Sequence, residues 1–144
     1  MPEKRPDLAA MIAPLGRALA MAELPILERH GLTMWGYVVL LGLGDEPVYT
    51  QAALAKKIRA DKTRIIGTLD ELQQRGLIRR DLDPADRRAR LVSLTPAGRN
   101  TRDQAQRDIQ EQENRLLSQL PAADRKSFLR SLQTLWASVV DTSS

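Results

Sequence analysis

The chain contains no cysteine, one histidine and only five aromatic residues among its 144. Without cysteine it builds no disulfide scaffold, zinc ribbon, thiol nucleophile or thiol-based oxidation sensor. With His30 as the lone histidine, no histidine-rich metal site forms. The aromatics, Trp35, Tyr37, Tyr49, Phe128 and Trp136, are too few and too scattered for the base-stacking platforms that hold single-stranded nucleic acid. Long apolar runs are missing as well. The longest, near Val38–Leu43, falls far short of the roughly 20 residues of a membrane span. Pro14, Gly16, Arg17, Glu23 and Pro25 interrupt the segment behind the polar N-terminus, so no clean signal-peptide core is present. These absences predict a cytoplasmic protein with no membrane partner, no cofactor, no metal and no catalytic group. The length suits one domain, or two small lobes sharing a helix.

What is present is basic charge in one place. The net charge is +4, but residues 56–90 alone carry 11 Lys/Arg against 6 Asp/Glu. The remainder of the chain is slightly acidic. A basic cluster of this kind favours a polyanion, nucleic acid first.

Residues 7–29 show apolar side chains at three- and four-residue spacing (Leu8, Met11, Ile12, Leu15, Leu19, Ala22), the mark of a helix with one apolar face. Pro14 and Pro25 predict kinks or breaks in it. Gly31 stops it, and His30 beside the stop suits a capping or packing role. Thr33 is the expected N-cap of a second helix, Met34–Leu43, apolar on most sides and therefore buried. Thr50 caps a third, Gln51–Ile58. After a tight turn at Arg59-Ala60, Asp61 caps a fourth, Lys62–Arg75, whose inward stripe is Ile65, Leu69 and Leu72, flanked by Ile66. Two short helices joined by such a turn make a helix-turn-helix.

Period-two patterns at Leu77–Leu82 and Arg90–Leu94 predict a β-hairpin with a long, charged tip over 83–89. Its arginines are expected to project into solvent or a ligand. Thr95-Pro96 restarts a helix, since proline loses nothing at the first helical position. This fifth helix runs to about Gln119, and its middle, 99–115, is polar nearly all round apart from Ala105 and Ile109, as in a rod bridging two lobes through solvent. Pro121 ends it. A sixth helix carries a stripe of Phe128, Leu132, Leu135, Trp136 and Val139. The expected fold is mainly α with a small β-hairpin wing: a winged helix-turn-helix over 33–95, a helical dimerisation lobe from 1–32 and 116–144, and 96–115 as the connecting part of the fifth helix. The first and sixth helices are expected to share one core, with a second copy of the chain helping to bury Leu129, Trp136 and Val140. A two-fold pair of basic heads implies a near-palindromic duplex with half-sites about one helical turn apart.

The ordered segments Leu32-Thr33-Met34-Trp35-Gly36-Tyr37-Val38-Val39-Leu40, Gln51-Ala52-Ala53-Leu54-Ala55, Asp61-Lys62-Thr63, Leu72-Gln73-Gln74-Arg75-Gly76-Leu77-Ile78-Arg79-Arg80, Asp83-Pro84-Ala85-Asp86-Arg87-Arg88-Ala89 and Leu94-Thr95-Pro96-Ala97-Gly98 resemble the MarR family of bacterial transcription regulators, over residues 8–140. Each segment alone is weak; their order and spacing together are specific. The resemblance implies a homodimeric repressor or activator whose fourth helix enters the major groove. It implies that Asp86 holds the wing while Arg88 reaches the minor groove, where arginine suits the concentrated negative potential. It further implies release by a small aromatic or phenolic effector, which would place Met11, Leu15, Trp35 and Tyr37 near a pocket. Plain core packing is the simpler account of Trp35 and Tyr37. The chain departs from the family where Ser/Thr-Arg is common on the fourth helix: Ile66 and Gly67 stand there, Arg64 comes earlier, and Glu71 occupies a place where a basic residue is usual.

The candidate DNA-binding residues are therefore Thr50, Gln51, Lys57, Lys62, Thr63, Arg64, Thr68, Asp86, Arg87 and Arg88. Arg64 is the expected guanine reader; Thr50, Gln51 and Lys57 are expected on phosphates. Gly67 either permits close backbone approach or merely packs. Two other classes compete with a double-stranded DNA regulator. Winged helices also serve as protein-interaction modules without sequence-specific DNA binding. An enzyme built on Asp81, Asp83 and Asp86 has no accompanying base or nucleophile.

Overall fold

The computed structural model describes residues 3–45 and 49–141, with backbone only at Tyr49, Lys62 and Asp141. Six helices and three strands follow one another along the chain: α1 (Leu8–Arg29), α2 (Met34–Leu43), β1 (Tyr49–Thr50), α3 (Gln51–Ile58), α4 (Lys62–Gln74), β2 (Ile78–Asp83), β3 (Asp86–Leu94), α5 (Pro96–Leu117) and α6 (Ala122–Asp141). The fold is the expected winged helix-turn-helix with further helices at both ends of the chain. The turn expected to include Glu46 and Pro47 lies partly outside the described residues.

Side-chain caps set the helix starts. Thr33, Thr50 and Thr95 each accept, through Oγ1, the backbone N–H three residues on, at 3.0 Å. Asp61 accepts from Thr63 N at 3.4 Å. Such caps satisfy donors that the first helical turn leaves orphaned. Thr95 does more: its hydroxyl donates to Gly76 O at 2.6 Å, tying the end of the wing to the end of α4. The start of α5 then presses on that junction so closely that a Cβ at Gly98 would stand 1.9 Å from Leu77 O.

Core residues come from the middle of the chain. Leu40, Leu43, Leu54, Ile65, Leu69, Ile78, Val39 and Val92 are fully buried, joined by Leu27 from the end of α1. The sheet order is β1-β3-β2, antiparallel throughout, with Ile78 opposite Leu94, Arg80 opposite Val92, and Tyr49 opposite Val92 on the other edge.

Five features differ from the sequence expectations. First, β1 was not anticipated; two residues carry no period. Second, the wing tip is not a long loop. Strand pairing runs on to Asp83 opposite Asp86, with an irregularity at Leu82/Asp83, leaving a tight turn at Pro84-Ala85. Third, α1 runs unbroken through Pro14 and Pro25.

Fourth, α5 is no solvent-bridging rod at its start. Arg102, Ala105 and Ile109 are buried against the rest of the fold. Arg102 achieves this by donating to Asp45 at 2.7 Å and Asp103 at 2.9 Å, because a buried guanidinium needs carboxylate partners. Fifth, α1 and α6 form no common core within one chain. Leu135, Trp136 and Val139 are 60%, 65% and 61% exposed, and Leu8 and Ile12 on α1 are 57% and 55% exposed.

Candidate nucleic-acid interface

The α3–turn–α4 unit and the hairpin are fastened to each other by one side chain. Arg80 lies on β2 in the same alternation as the buried Ile78, so it points at the helices rather than away. Its Nη2 donates to Asp70 Oδ1 at 2.5 Å and its Nε to Gln73 Oε1 at 2.6 Å, both on α4. Its Nη1 reaches Gln51 Oε1 on α3 at 3.4 Å. The expectation that every hairpin arginine projects outward therefore fails at Arg80, though Arg79 does lie exposed. The signal was available: residues two apart on a strand share a face.

The wing tip is built by its acids. Asp83 accepts the N–H of Ala85 at 2.9 Å, and Asp86 accepts the N–H of Arg88 at 3.0 Å. Arg87 and Arg88 thereby stand at the start of β3, beside the turn, exposed and without an ion-pair partner among the described residues.

On the helices, Lys57 donates from Nζ to Gly42 O at 2.8 Å, at the end of α2. Thr50 is occupied as a cap. Lys62 opens α4, and its side chain lies outside the described residues. Thr63 is exposed. Arg64 leans back, its guanidinium 5.7 Å from the centroid of the Trp35 ring, a cation–π distance. Thr68 lines a crevice with Gly36 and Leu72, on the α2 side of the helix. Ile66, expected beside the inward stripe, is instead 44% exposed. Nothing stands within 4 Å of a Cβ built on Gly67, so that glycine does not pack.

Arg75, at the C-cap of α4, donates to the carbonyls of Gly31 and His30. His30 in turn pairs with Asp108 of α5 at 2.7 Å. The end of α1 is thus held by both α4 and α5, and His30 takes the capping and packing place expected for it. Arg75 does not announce such a role by local pattern, since its partners lie 44 and 45 residues away along the chain.

The four residues expected near an effector lie on two helices, α1 and α2. Met11 and Leu15 are exposed on α1, Trp35 lies half-buried under Arg64, and Tyr37 is core. Burial, then the charges of Glu23 and Glu113, pushes the Tyr37 hydroxyl up to about 12. Burial also raises both carboxyls, and the charge of Glu113 raises Glu23 further.

A helix-turn-helix locked to a cationic, acid-stiffened hairpin defines a winged-helix DNA-binding protein. The MarR family model matches residues 32–89, the span from α2 through the wing tip. Over that span the chain is similar to the MarR family of transcriptional regulators. It is 28% identical over 111 residues to a putative transcriptional regulatory protein for the hcr operon of Thauera aromatica, covering 77% of this chain and 67% of that one. Among solved structures it resembles CouR from Rhodococcus jostii, bound to p-coumaroyl-CoA, with 29% identity, a TM-score of 0.71 and coverage of 90% and 91%. Its fold also matches wild-type MarR of Escherichia coli, with a TM-score of 0.79, 22% identity and coverage of 92% and 98%.

Proposed function

We propose that the protein is a cytoplasmic homodimeric repressor. Two wings and two α4 helices bind one near-palindromic double-stranded site, and a small aromatic or phenolic effector releases them. The observation that carries this reading is the pairing of two opposed surfaces. The middle of the chain presents Arg87 and Arg88 on the wing beside α4. The ends of the chain present the uncovered apolar stripes of α1 and α6. By length and composition α1 would also suffice to cross a membrane, but Leu8, Met11, Ile12, Leu15 and Leu19 form one stripe with Arg17 on the opposite face, as a one-sided dimer face requires. We assign 1–32 and 116–144 to the dimerisation lobe, 33–95 to the winged domain, and 96–115 to their connection.

Thr50, Gln51 and Lys57 support the unit from α3. Lys62, Thr63, Arg64 and Thr68 stand along α4. Asp86 shapes the turn from which Arg87 and Arg88 reach a minor groove. The effector class rests on the resemblance, and on CouR, whose ligand carries a phenolic ring.

Selection of bound duplexes from a random pool, followed by anisotropy in 50 to 200 mM salt, tests the reading. With six to ten phosphates contacted, affinity should fall by about 10³–10⁵ across that range. Failure to enrich any sequence, with a flat salt response, would favour a protein-interaction module instead. Repeating the selection with phenolic acids tests the effector.

A further inference from the structure

The outward face of α4 is not the one the charges suggest. At 100° per residue, the side chains opposite the buried Ile65, Leu69 and Leu72 are Thr63, Gly67, Asp70, Glu71 and Gln74, with Arg64 and Ile66 at the two edges of that face, and all seven are exposed. Arg64 and Thr68 lie to one side, toward Trp35 and α2. The acids on the outward face are Asp70, which Arg80 answers at 2.5 Å, and Glu71. The face that a major groove would meet is therefore not a cationic one, and one large apolar side chain, Ile66, stands at the edge of it away from Arg64.

Two facts about that face have no explanation in the fold. Ile66 is 44% exposed and adds nothing to the core. Gly67 interrupts a helix interior, where glycine is weaker than alanine, although a Cβ there would meet nothing within 4 Å. Packing requires neither residue. A groove floor would use both. Thymine is the one base that presents a methyl group in the major groove, and apolar side chains read it by contact. A missing side chain beside the reader lets the helix backbone approach the base edges more closely.

We infer that Ile66 is a specificity-determining residue that reads thymine C5-methyl groups, with Gly67 setting the depth at which α4 seats. This deepens the reading of the chain as a sequence-specific duplex binder and rests on it. The wing cations, Arg87 and Arg88, supply the attraction to phosphate that brings this face to the groove.

The test uses the full-length protein and a duplex enriched from a random pool. Each thymidine is replaced in turn by deoxyuridine, which removes only the methyl group. One or two positions per half-site should lose about fourfold in affinity, the worth of one buried methyl, and the same positions should be insensitive in Ile66→Ala. Gly67→Ala, whose helix is if anything better formed, should bind the enriched duplex more weakly than wild type while keeping its affinity for unselected duplex. Deoxyuridine that is silent at every position, or a penalty undiminished in Ile66→Ala, overturns the role of Ile66. Full affinity of Gly67→Ala for the enriched duplex overturns the role of Gly67. In both cases the enriched duplex still binds, so the inference fails while the function stands. If no sequence is enriched at all, the two fail together.

Discussion

The Arg80 guanidinium on β2 and the Asp70 carboxylate on α4 meet at 2.5 Å, with the arginine side chain only 18% exposed. Through this contact, and those to Gln73 and Gln51, the wing and the outward face of α4 move as one body. DNA recognition by a wing and a helix together needs that rigidity, because each must enter its groove in register with the other. Arg80 is a positioning residue. Arg80→Ala should cost about 1–2 kcal/mol of stability, the range of a charge-assisted hydrogen bond discounted for the half-exposed Asp70. It should also weaken specific binding about tenfold, a loss of about 1.4 kcal/mol. Its salt dependence should stay that of wild type, since no phosphate contact is lost. Arg80→Lys, a point charge without the planar fork, should fall between. Denaturant melts and anisotropy at several salt concentrations measure all three.

Arg88 should behave in the opposite way. It stands exposed on a turn that Asp86 closes through the Arg88 N–H, so its side chain can be removed without touching the fold. Arg88→Ala should leave the melting temperature unchanged. It should weaken binding to specific and unselected duplex alike, and lower the slope of log K against log salt by about 0.9, the share of one phosphate. A slope equal to that of wild type would take Arg88 out of the contact. Arg64→Ala is the complement. Its loss should be larger on the enriched duplex than on bulk DNA, by about 1–3 kcal/mol if the guanidinium leaves Trp35 to read a guanine. Quenching or release of Trp35 fluorescence on binding reports that departure.

Local chemistry made most of this fold legible. The caps Thr33, Thr50, Asp61 and Thr95 stand at the starts of α2, α3, α4 and α5 because a hydroxyl or carboxylate before a helix has one obvious use. Period-two alternation located the wing. It also implied that Arg80 shares a face with Ile78, although arginine on a hairpin suggests solvent. The places where the sequence misled are those settled by distant partners. Arg102 looks like one more charge on a polar helix, and only Asp45, reached through a long excursion of the chain, explains its burial. Ile66 looks like a neighbour of the core stripe, yet it falls about 100° outside it. The apolar stripes of α1 and α6 stay open within one chain, and periodicity marks such a stripe without saying what covers it.

The acidic pair under the winged domain gives a pH prediction. Burial holds both Glu23 and Glu113 above the ordinary glutamate range, and the Glu113 charge adds to the effect on Glu23. A carboxyl whose folded value is raised favours the folded state most at acid pH, and that advantage is lost as pH rises through the folded value. At neutral pH both groups are therefore a liability. Glu113→Gln should melt at a higher temperature than wild type at pH 7.5, and the difference should vanish below about pH 4, under the unfolded glutamate value. A gain that persists unchanged at acid pH would point to packing rather than charge.

The apolar face of α6 supplies the last prediction. Leu135, Trp136 and Val139 are each at least 60% exposed in one chain, and an uncovered helical stripe of that size is unusual on a soluble monomer. A second copy covering it would make Trp136 a central anchor, and tryptophan is among the residues that dominate such interfaces. Trp136→Glu should then raise the dimer dissociation constant by about thirtyfold or more, the equivalent of at least about 2 kcal/mol. Because each chain carries only one wing and one α4, the resulting monomer should bind the enriched palindrome hardly better than an isolated half-site. Sedimentation at low micromolar concentration gives the assembly state, and anisotropy on full and half-sites gives the consequence. A Trp136→Glu protein that stays dimeric places the interface elsewhere. One that is monomeric yet binds the palindrome at full strength separates dimerisation from recognition.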